Sequence, residues 1–375
     1  MINGNNFNSL HYKPKILVTP LDWGLGHATR CIPIINELIY HQCEVIIAAS
    51  GNGFFLLKKE FPSLVILRIN SYKIRYSRRK SLLLFKLAVQ VPGIAISIWR
   101  EKLWLKKTIT KYKIDAVISD NRPGMNNKKI SSVYITHQLL IKTGNSFFEK
   151  IAQKIHYHFI KKFNYCWVPD YKVNGLAGEL SHQDNSPLNI LYIGPLSRFE
   201  LSNGMQEKYD ILISISGPEP QRTMFEKKIL SQLCNFNKKV LLVRGLPNQH
   251  QDLKTDNELI KIINHLPAHE LNKAFQQSKI IISRSGYTTI MDLVKLGKNA
   301  VLVPTPGQTE QEYLSNYLMK KNIFYSVEQD KFSLDKIYNY APISQPVIME
   351  RGMDVYKKVI EEFLLSLKPC SLQTH

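Results

Sequence analysis

The chain has 375 residues, 44% of them apolar and 10% aromatic, which is too long for one ordinary core and too apolar for a disordered polymer. Its formal net charge of +20 recruits anionic partners, whether phosphates, acidic lipid surfaces or nucleic acid, without choosing among them. Five scattered cysteines with no Cys-x-x-Cys pair argue against a disulfide frame or a zinc site and for reduced thiols in a cytoplasm.

Met1 to Leu10 is Asn-rich and lacks the basic flank and apolar run of a signal peptide. No uninterrupted run of about 18 apolar residues occurs, so no spanning helix is expected. Val- and Ile-rich runs at Lys15–Pro20, Cys43–Ser50, Asp115–Asp120, Ser132–His137, Tyr165–Pro169 and Ile190–Leu196 alternate with helix-length segments. That alternation predicts a parallel sheet covered by helices. After the first strand, Pro20-Leu-Asp-Trp-Gly24-Leu-Gly26-His27-Ala-Thr-Arg30 leads into a helix with apolar Ile32, Ile35, Leu38 and Ile39. Gly24 and Gly26 permit a sharp turn and leave the helix-start amides open to an anion or sugar. A dinucleotide fingerprint needs a third glycine where Thr29 stands, which disfavours NAD. His27, in the first turn, has the intrinsic proton affinity of a general base near neutral pH, and a polar residue that only shapes the loop is the plainer alternative.

Tyr72 to Lys113 carries twelve Lys/Arg and one acid around the apolar run Ser81–Trp99. Such a segment suits a helix resting on an anionic leaflet, where each cation contributes roughly 1 kcal/mol, or a core helix pair broken at Pro92-Gly93 with solvated ends. Asp120, Arg122 and His137 follow predicted strands and are candidate acceptor contacts; His137 is also a second candidate base, and turn roles stay open for all three.

Ser197 to Tyr209 is polar and aperiodic, and is expected to be a linker. The second half restarts with strands at Asp210–Gly217, Val240–Gly245, Lys279–Ser283 and Ala300–Pro304. Ser216 and Gly217 offer a hydroxyl and amides, and Arg222 a cation, to phosphate oxygens, although two prolines reduce the amide count and a solvated Arg is the alternative. Ser285 and Gly286 open the next helix, with Asp292 further along it. Gln311 and Glu312 follow the next strand, where Thr309-x-x-Glu312 also reads as a capping box. Two doubly wound domains would place such strand-end residues around a cleft.

The order Ser283-Arg-Ser-Gly-Tyr-Thr-Thr-Ile-Met-Asp292, followed by Pro304-Thr-Pro-Gly-Gln-Thr-Glu-Gln-Glu-Tyr313, resembles the donor half of glycosyltransferase family 28, the group containing the N-acetylglucosaminyl transferase of the peptidoglycan lipid intermediate. The resemblance implies an α/β GT-B fold of two Rossmann-like doubly wound domains facing a cleft. Residues 1–200 would bind the acceptor and 201–348 the nucleotide sugar, with a final helix in 349–375 returning to the first domain. It also implies His27 as the base, Asp292 on the ribose hydroxyls of UDP, Gln311 and Glu312 on the donor sugar, and backbone at His265-Leu266 toward uracil, with a surface turn as the alternative for both of the last two residues. Asp292 is one methylene shorter than the usual Glu, and the loop at Ser216 is poorer in glycine than the family's.

No Asp-x-Asp occurs, so no metal and no cofactor beyond the UDP-sugar are expected, and the diphosphate falls to helix starts and basic residues. One base without a second carboxylate nucleophile points to direct displacement with inversion. The expectation is an inverting, metal-independent glycosyltransferase acting on a cytoplasmic acceptor. That acceptor would be lipid-linked if residues 72–113 rest on the inner face of a membrane. A nucleotide-sugar epimerase of the same fold and a non-catalytic basic protein for an anionic polymer stay open. No RNA or DNA module is recognisable, so specific nucleic-acid binding is not expected.

Overall fold

The computed structural model describes residues 13–72, 83–141, 146–183, 189–202, 204–246, 249, 251, 253–340 and 354–367. The chain divides into two compact units, the first comprising Met1–Gly175, Glu179–Leu196 and Asp354–His375, the second Leu176–Gly178 and Ser197–Met353.

The first unit is a seven-stranded parallel sheet of β1 (Lys15–Pro20), β2 (Glu44–Ala49), β3 (Val65–Arg68), β4 (Ala116–Asp120), β5 (Ser131–Ile135), β6 (Tyr165–Val168) and β7 (Ile190–Tyr192), in the order β3-β2-β1-β4-β5-β6-β7. Ile16, Leu17 and Val18 of β1 are fully buried, as are Val117 and Ile118 of β4. Consecutive apolar residues, rather than alternating ones, are what a strand needs when helices cover both faces of its sheet. The helices are α1 (Gly26–Tyr40), α2 (Gly51–Glu60), α3 (Leu83–Tyr112) and α4 (Ser146–Ile160). Ile32, Ile35 and Leu38 of α1 face inward, whereas Ile39 is exposed at the edge of the stripe.

The second unit repeats the plan with β8 (Tyr209–Ser214), β9 (Val240–Val243), β10 (Ile260–Ile263), β11 (Ser278–Ser283), β12 (Ala300–Leu302) and β13 (Tyr325–Ser326), ordered β10-β9-β8-β11-β12-β13 and all parallel. Helices α5 (Gln221–Leu233), α6 (Ala268–Gln276), α7 (Tyr287–Lys295), α8 (Thr309–Lys320) and α9 (Leu334–Tyr340) connect them. The last helix, α10 (Val355–Leu365), belongs to the first unit. It buries Ile360, Phe363 and Leu364, with the Phe363 ring edge-on to Tyr165 and Trp167.

Three strands escape the sequence reading: β3, β10 and β13, all sheet edges. Each is short and only partly buried, so the apolar signal that marks central strands is diluted. The break at Pro92-Gly93, one of the two readings of this segment, does not form. Pro92 lies inside the single helix α3, which tolerates the lost backbone donor because Ile98, Leu105 and Ile109 anchor the following turns in the core. The basic stretch 73–82 lies outside the described residues.

Each sheet reverses its strand order once, between β1 and β4 and between β8 and β11. Loops leaving the carboxyl ends of such neighbours diverge, and ligands of open α/β sheets bind there.

Candidate functional site

At the first reversal, Pro20 ends β1 directly opposite Asp120, the last residue of β4. Leu21 donates its amide to the Asp120 carbonyl at 2.9 Å, so both loops leave from a fixed base. Gly24 then turns with φ +77°, a conformation that disfavours a side chain, and α1 begins at Gly26 with no side-chain cap on its amides. His27 sits in the first turn with its side chain 14% exposed and Nδ1 3.0 Å from Asp120 Oδ1.

Arg30, one turn further along α1, completes the cluster. Its Nε and Nη2 grip the two oxygens of Asp120, Nη1 lies 3.0 Å from His137 Nδ1, and Nη2 lies 2.9 Å from His27 Nδ1. Asp120 is fully buried; burial alone would raise its proton affinity, but Arg30 and His27 outweigh this and hold the carboxyl at about 2. Burial lowers the proton affinity of His27; Asp120 opposes this, while Arg30 and His137 reinforce it, so the ring is neutral at physiological pH.

Two expected acceptor contacts need correction. Asp120 faces His27 and Arg30 with no exposed surface. Arg122 is also fully buried, its guanidinium donating to Pro20 O at 2.8 Å, Glu101 at 2.7 Å, Ser50 at 2.7 Å and Asn70 O at 3.3 Å. A buried charge is stable only when paired, and pairing leaves these two none of the reach a substrate contact needs. His137 has its Nδ1 taken by Arg30, which rules that nitrogen out as a base.

At the second reversal, β8 runs into exposed Ser216 and Gly217, the latter at φ +111°. The Thr305 hydroxyl is buried with no partner among the described residues, 3.5 Å from where a Cβ on Gly217 would stand. Gly286 caps α7 without a side-chain bond, and the space where its Cβ would stand is open. Helix-start amides beside small residues suit an anion that must approach the backbone closely.

Other expected donor contacts are already engaged. Arg222 is buried and bonds Glu219 at 2.5 Å, Thr223 at 2.7 Å, Glu226 at 3.1 Å and Arg244 O at 3.2 Å, so it does not present a cation to phosphate. Ser285 is buried and donates to Gln311 O at 2.8 Å, tying α7 to α8. Gln311 Oε1 accepts from the Thr305 amide at 2.9 Å and Glu312 Oε1 from the Gly307 amide at 2.9 Å, so the pair holds its own loop. The helix cap is Gln308, not Thr309 as the capping-box pattern suggests. Leu266 is buried between β10 and α6.

Asp292 accepts a 2.6 Å bond from the Ser197 hydroxyl, so Ser197, read as linker, is part of the second unit. Burial drives the Asp292 carboxyl up to about 6 against the opposing pull of Arg198 and Ser197. Asp292 is the sixth residue of α7, and a strongly perturbed acid of this kind is a candidate for a functional role. Sequence reasoning missed Arg30 and Arg284. Arg284 is buried with its guanidinium on Gln329 at 2.6 Å and on the carbonyls of Gln221, Val303 and Pro304 at 3.2 Å, which clamps the start of α5 to the loop after β12. A cation in a helix's apolar stripe, as at Arg30, is the sequence signal that could have pointed to a buried anion.

Residues 221–341 match the model of the glycosyltransferase family 28 C-terminal domain. An uncharacterized glycosyltransferase of Methanosarcina acetivorans is 22% identical over 80% of this chain and 81% of its own length. The UDP-N-acetylglucosamine–N-acetylmuramyl-(pentapeptide) pyrophosphoryl-undecaprenol N-acetylglucosamine transferase of Bradyrhizobium diazoefficiens is 28% identical over 41% of this chain and 38% of its own. Among solved structures, the calicheamicin glycosyltransferase CalG4 superposes with a TM-score of 0.64 at 11% identity, covering 95% of this chain and all of that one. A putative UDP-N-acetylglucosamine 2-epimerase from Listeria monocytogenes superposes at 0.57 and 13% identity, covering 96% and 98%. The fold is GT-B.

Proposed function

We propose that this glycosyltransferase, whose residues 221–341 form a family 28 C-terminal domain, moves a sugar from a UDP-sugar to a hydroxyl acceptor with inversion and without a metal. The observation that carries the reading is the His27–Asp120 pair at the first sheet reversal. Nδ1–H donates to Asp120 and leaves the Nε2 lone pair to take the proton of the acceptor hydroxyl. As that proton leaves, the hydroxyl oxygen attacks the anomeric carbon from the face opposite the diphosphate. The anomeric C–O bond breaks, and its electron pair departs with UDP. Ser216, Gly217 and the α7 start at Gly286 would meet the diphosphate with amides and a hydroxyl, stabilising charge where it develops. Asp292, Gln311 and Glu312 would exchange their present partners for ribose and sugar hydroxyls.

For the acceptor we favour a lipid-linked molecule at the cytoplasmic face of a membrane. No helix among the described residues is long and apolar enough to cross one. Yet α3 exposes Ile96, Trp99 and Leu103 in one stripe, α4 exposes Ile151 and Ile155, and exposed Arg100, Lys106 and Lys107 accompany them on α3. Apolar stripes among cations suit anionic lipid.

Incubating the protein with a panel of UDP-sugars, anionic vesicles carrying polyprenyl-linked acceptors, and EDTA tests this directly. Product formation that survives EDTA and falls about 10³-fold in H27A, with calorimetric UDP binding intact, is expected. Isomerised sugar nucleotide formed without acceptor would establish the epimerase instead. Steeply salt-dependent binding to oligonucleotides, with no response to any nucleotide sugar, would establish the polymer-binding reading.

A further inference from the structure

Two histidines and one carboxylate share a single guanidinium in the first unit, and the donor and acceptor chemistry of those groups restricts where protons can sit. Arginine has only donors and an ionised carboxylate only acceptors. Arg30 Nη1 stands 3.0 Å from His137 Nδ1, so that nitrogen must accept, which puts the ring proton of His137 on Nε2. At His27 the same nitrogen faces two neighbours, Asp120 Oδ1 at 3.0 Å and Arg30 Nη2 at 2.9 Å. Donation to Asp120 leaves Nε2 as a base, whereas acceptance from Arg30 would put the proton on Nε2 and abolish it. Asp120 is the stronger draw for Arg30, which grips both carboxylate oxygens through Nε and Nη2. The Nδ1–H of His27 therefore goes to Asp120.

We propose that Arg30 is a positioning residue of the transfer step: it holds Asp120 in the orientation that makes His27 Nε2 a base and fixes His137 as a hydrogen-bond donor at Nε2. The inference rests on the reading of His27 as the base. It reaches beyond a two-residue dyad, because the same guanidinium that orients Asp120 also sets the tautomer of His137 through its Nδ1. Arg30 is 2% exposed on α1, so its effect on the reaction passes through Asp120 and the two histidines. Among the described residues, the charged and titratable groups acting most strongly on His27 are Arg30 on its own helix, Asp120 from β4 and His137 from the loop after β5. Arg30 opposes protonation of His27 and Asp120 favours it, so removing the guanidinium while keeping Asp120 must strengthen the base.

The test uses the full chain with R30Q and R30K, following the pH dependence of kcat/KM alongside ring-nitrogen NMR of His27 and His137. In R30Q the acid limb should move up by about one pH unit, since an adjacent charge shifts a titration by about that much or more. Turnover should drop about 100-fold while the donor KM changes less than twofold. In both variants His137 should lose its single Nε2–H form, because neither the shorter carboxamide of Gln nor the point ammonium of Lys can bridge Asp120 and His137 as the planar guanidinium fork does. A folded R30Q whose His27 titration and His137 tautomer match the wild type would overturn the proposal. Should R30Q fail to fold, an R30K protein with wild-type turnover and wild-type His137 tautomer would overturn it as well. H27A separates this from failure of the base assignment: undiminished turnover there removes the base, while the NMR still reports whether Arg30 sets the two rings.

Discussion

The two units use one strand order and fill its reversal point in opposite ways. In the first, the space between β1 and β4 holds buried ionised groups: Asp120, gripped by Arg30, with His27 and His137 on its margin. In the second, the loops after β8 and β11 present exposed Ser216 and Gly217 and a helix start whose cap, Gly286, has no side chain, with Arg222, Glu226 and Arg244 paired among themselves. A proton acceptor must be tuned by fixed charges in low dielectric. A diphosphate already carries its charge and needs only oriented backbone donors. The same architecture thus carries paired side-chain charges at one reversal point and exposed main chain at the other, the division of labour that the proposed transfer reaction would use.

The largest expected effect tests the charged half. D120N should leave Arg30 buried without an anion, lowering stability by about 3 kcal/mol, and should cut turnover on the order of 10³-fold while UDP affinity measured by calorimetry stays unchanged. A parallel loss of UDP affinity would erase the distinction between the two reversal points.

Asp292 sharpens the comparison, because burial raises its proton affinity strongly. Its carboxyl moves from an ordinary 3.8 to about 6, so at pH 7.5 it is ionised in both folded and unfolded chains and burial works against folding. Between about 6 and 3.8 the folded chain takes up the proton first, so wild-type stability rises as pH falls through that window. D292N, which still accepts from Ser197, should therefore raise stability at pH 7.5 by roughly 1–3 kcal/mol, a gain that disappears below pH 4 in thermal melts. The same variant should weaken UDP binding about tenfold, as expected where a stability cost is retained for function.

A smaller effect belongs to Gly217. Because φ is +111° there and a Cβ would meet only an ordinary 3.5 Å contact with Thr305, G217A should cost about 1–2 kcal/mol through strain rather than clash. Donor KM should rise severalfold with kcat nearly unchanged; a fall in kcat alone would put Gly217 with the chemical step instead of the anion site.

Much of the fold is legible because central strands such as Ile16–Val18 and Ile280–Ile282 must be continuously apolar when covered on both faces. The edge strands β3, β10 and β13 escape for the complementary reason, being half covered. In the candidate site, His27, Gly24 and Gly286 are legible from local order, since glycine turns and helix starts are written in neighbouring residues. Arg122 and Arg222 look alike in sequence to phosphate- or acceptor-binding cations, and only their partners show them to be structural. Glu101 lies 21 residues before Arg122, and Glu226 one turn beyond Arg222 is itself shared with Arg244.

The sequence by itself determined two parallel α/β halves, the glycine turns at their strand ends and a histidine at the first of these, because backbone freedom and hydrophobic period act over a few residues. Tertiary structure alone decided which charges are buried against a counter-ion. Arg30 meets Asp120 across 90 residues and His137 across 107, and in low dielectric each such encounter sets whether a group is a base, a donor or a buried counter-ion.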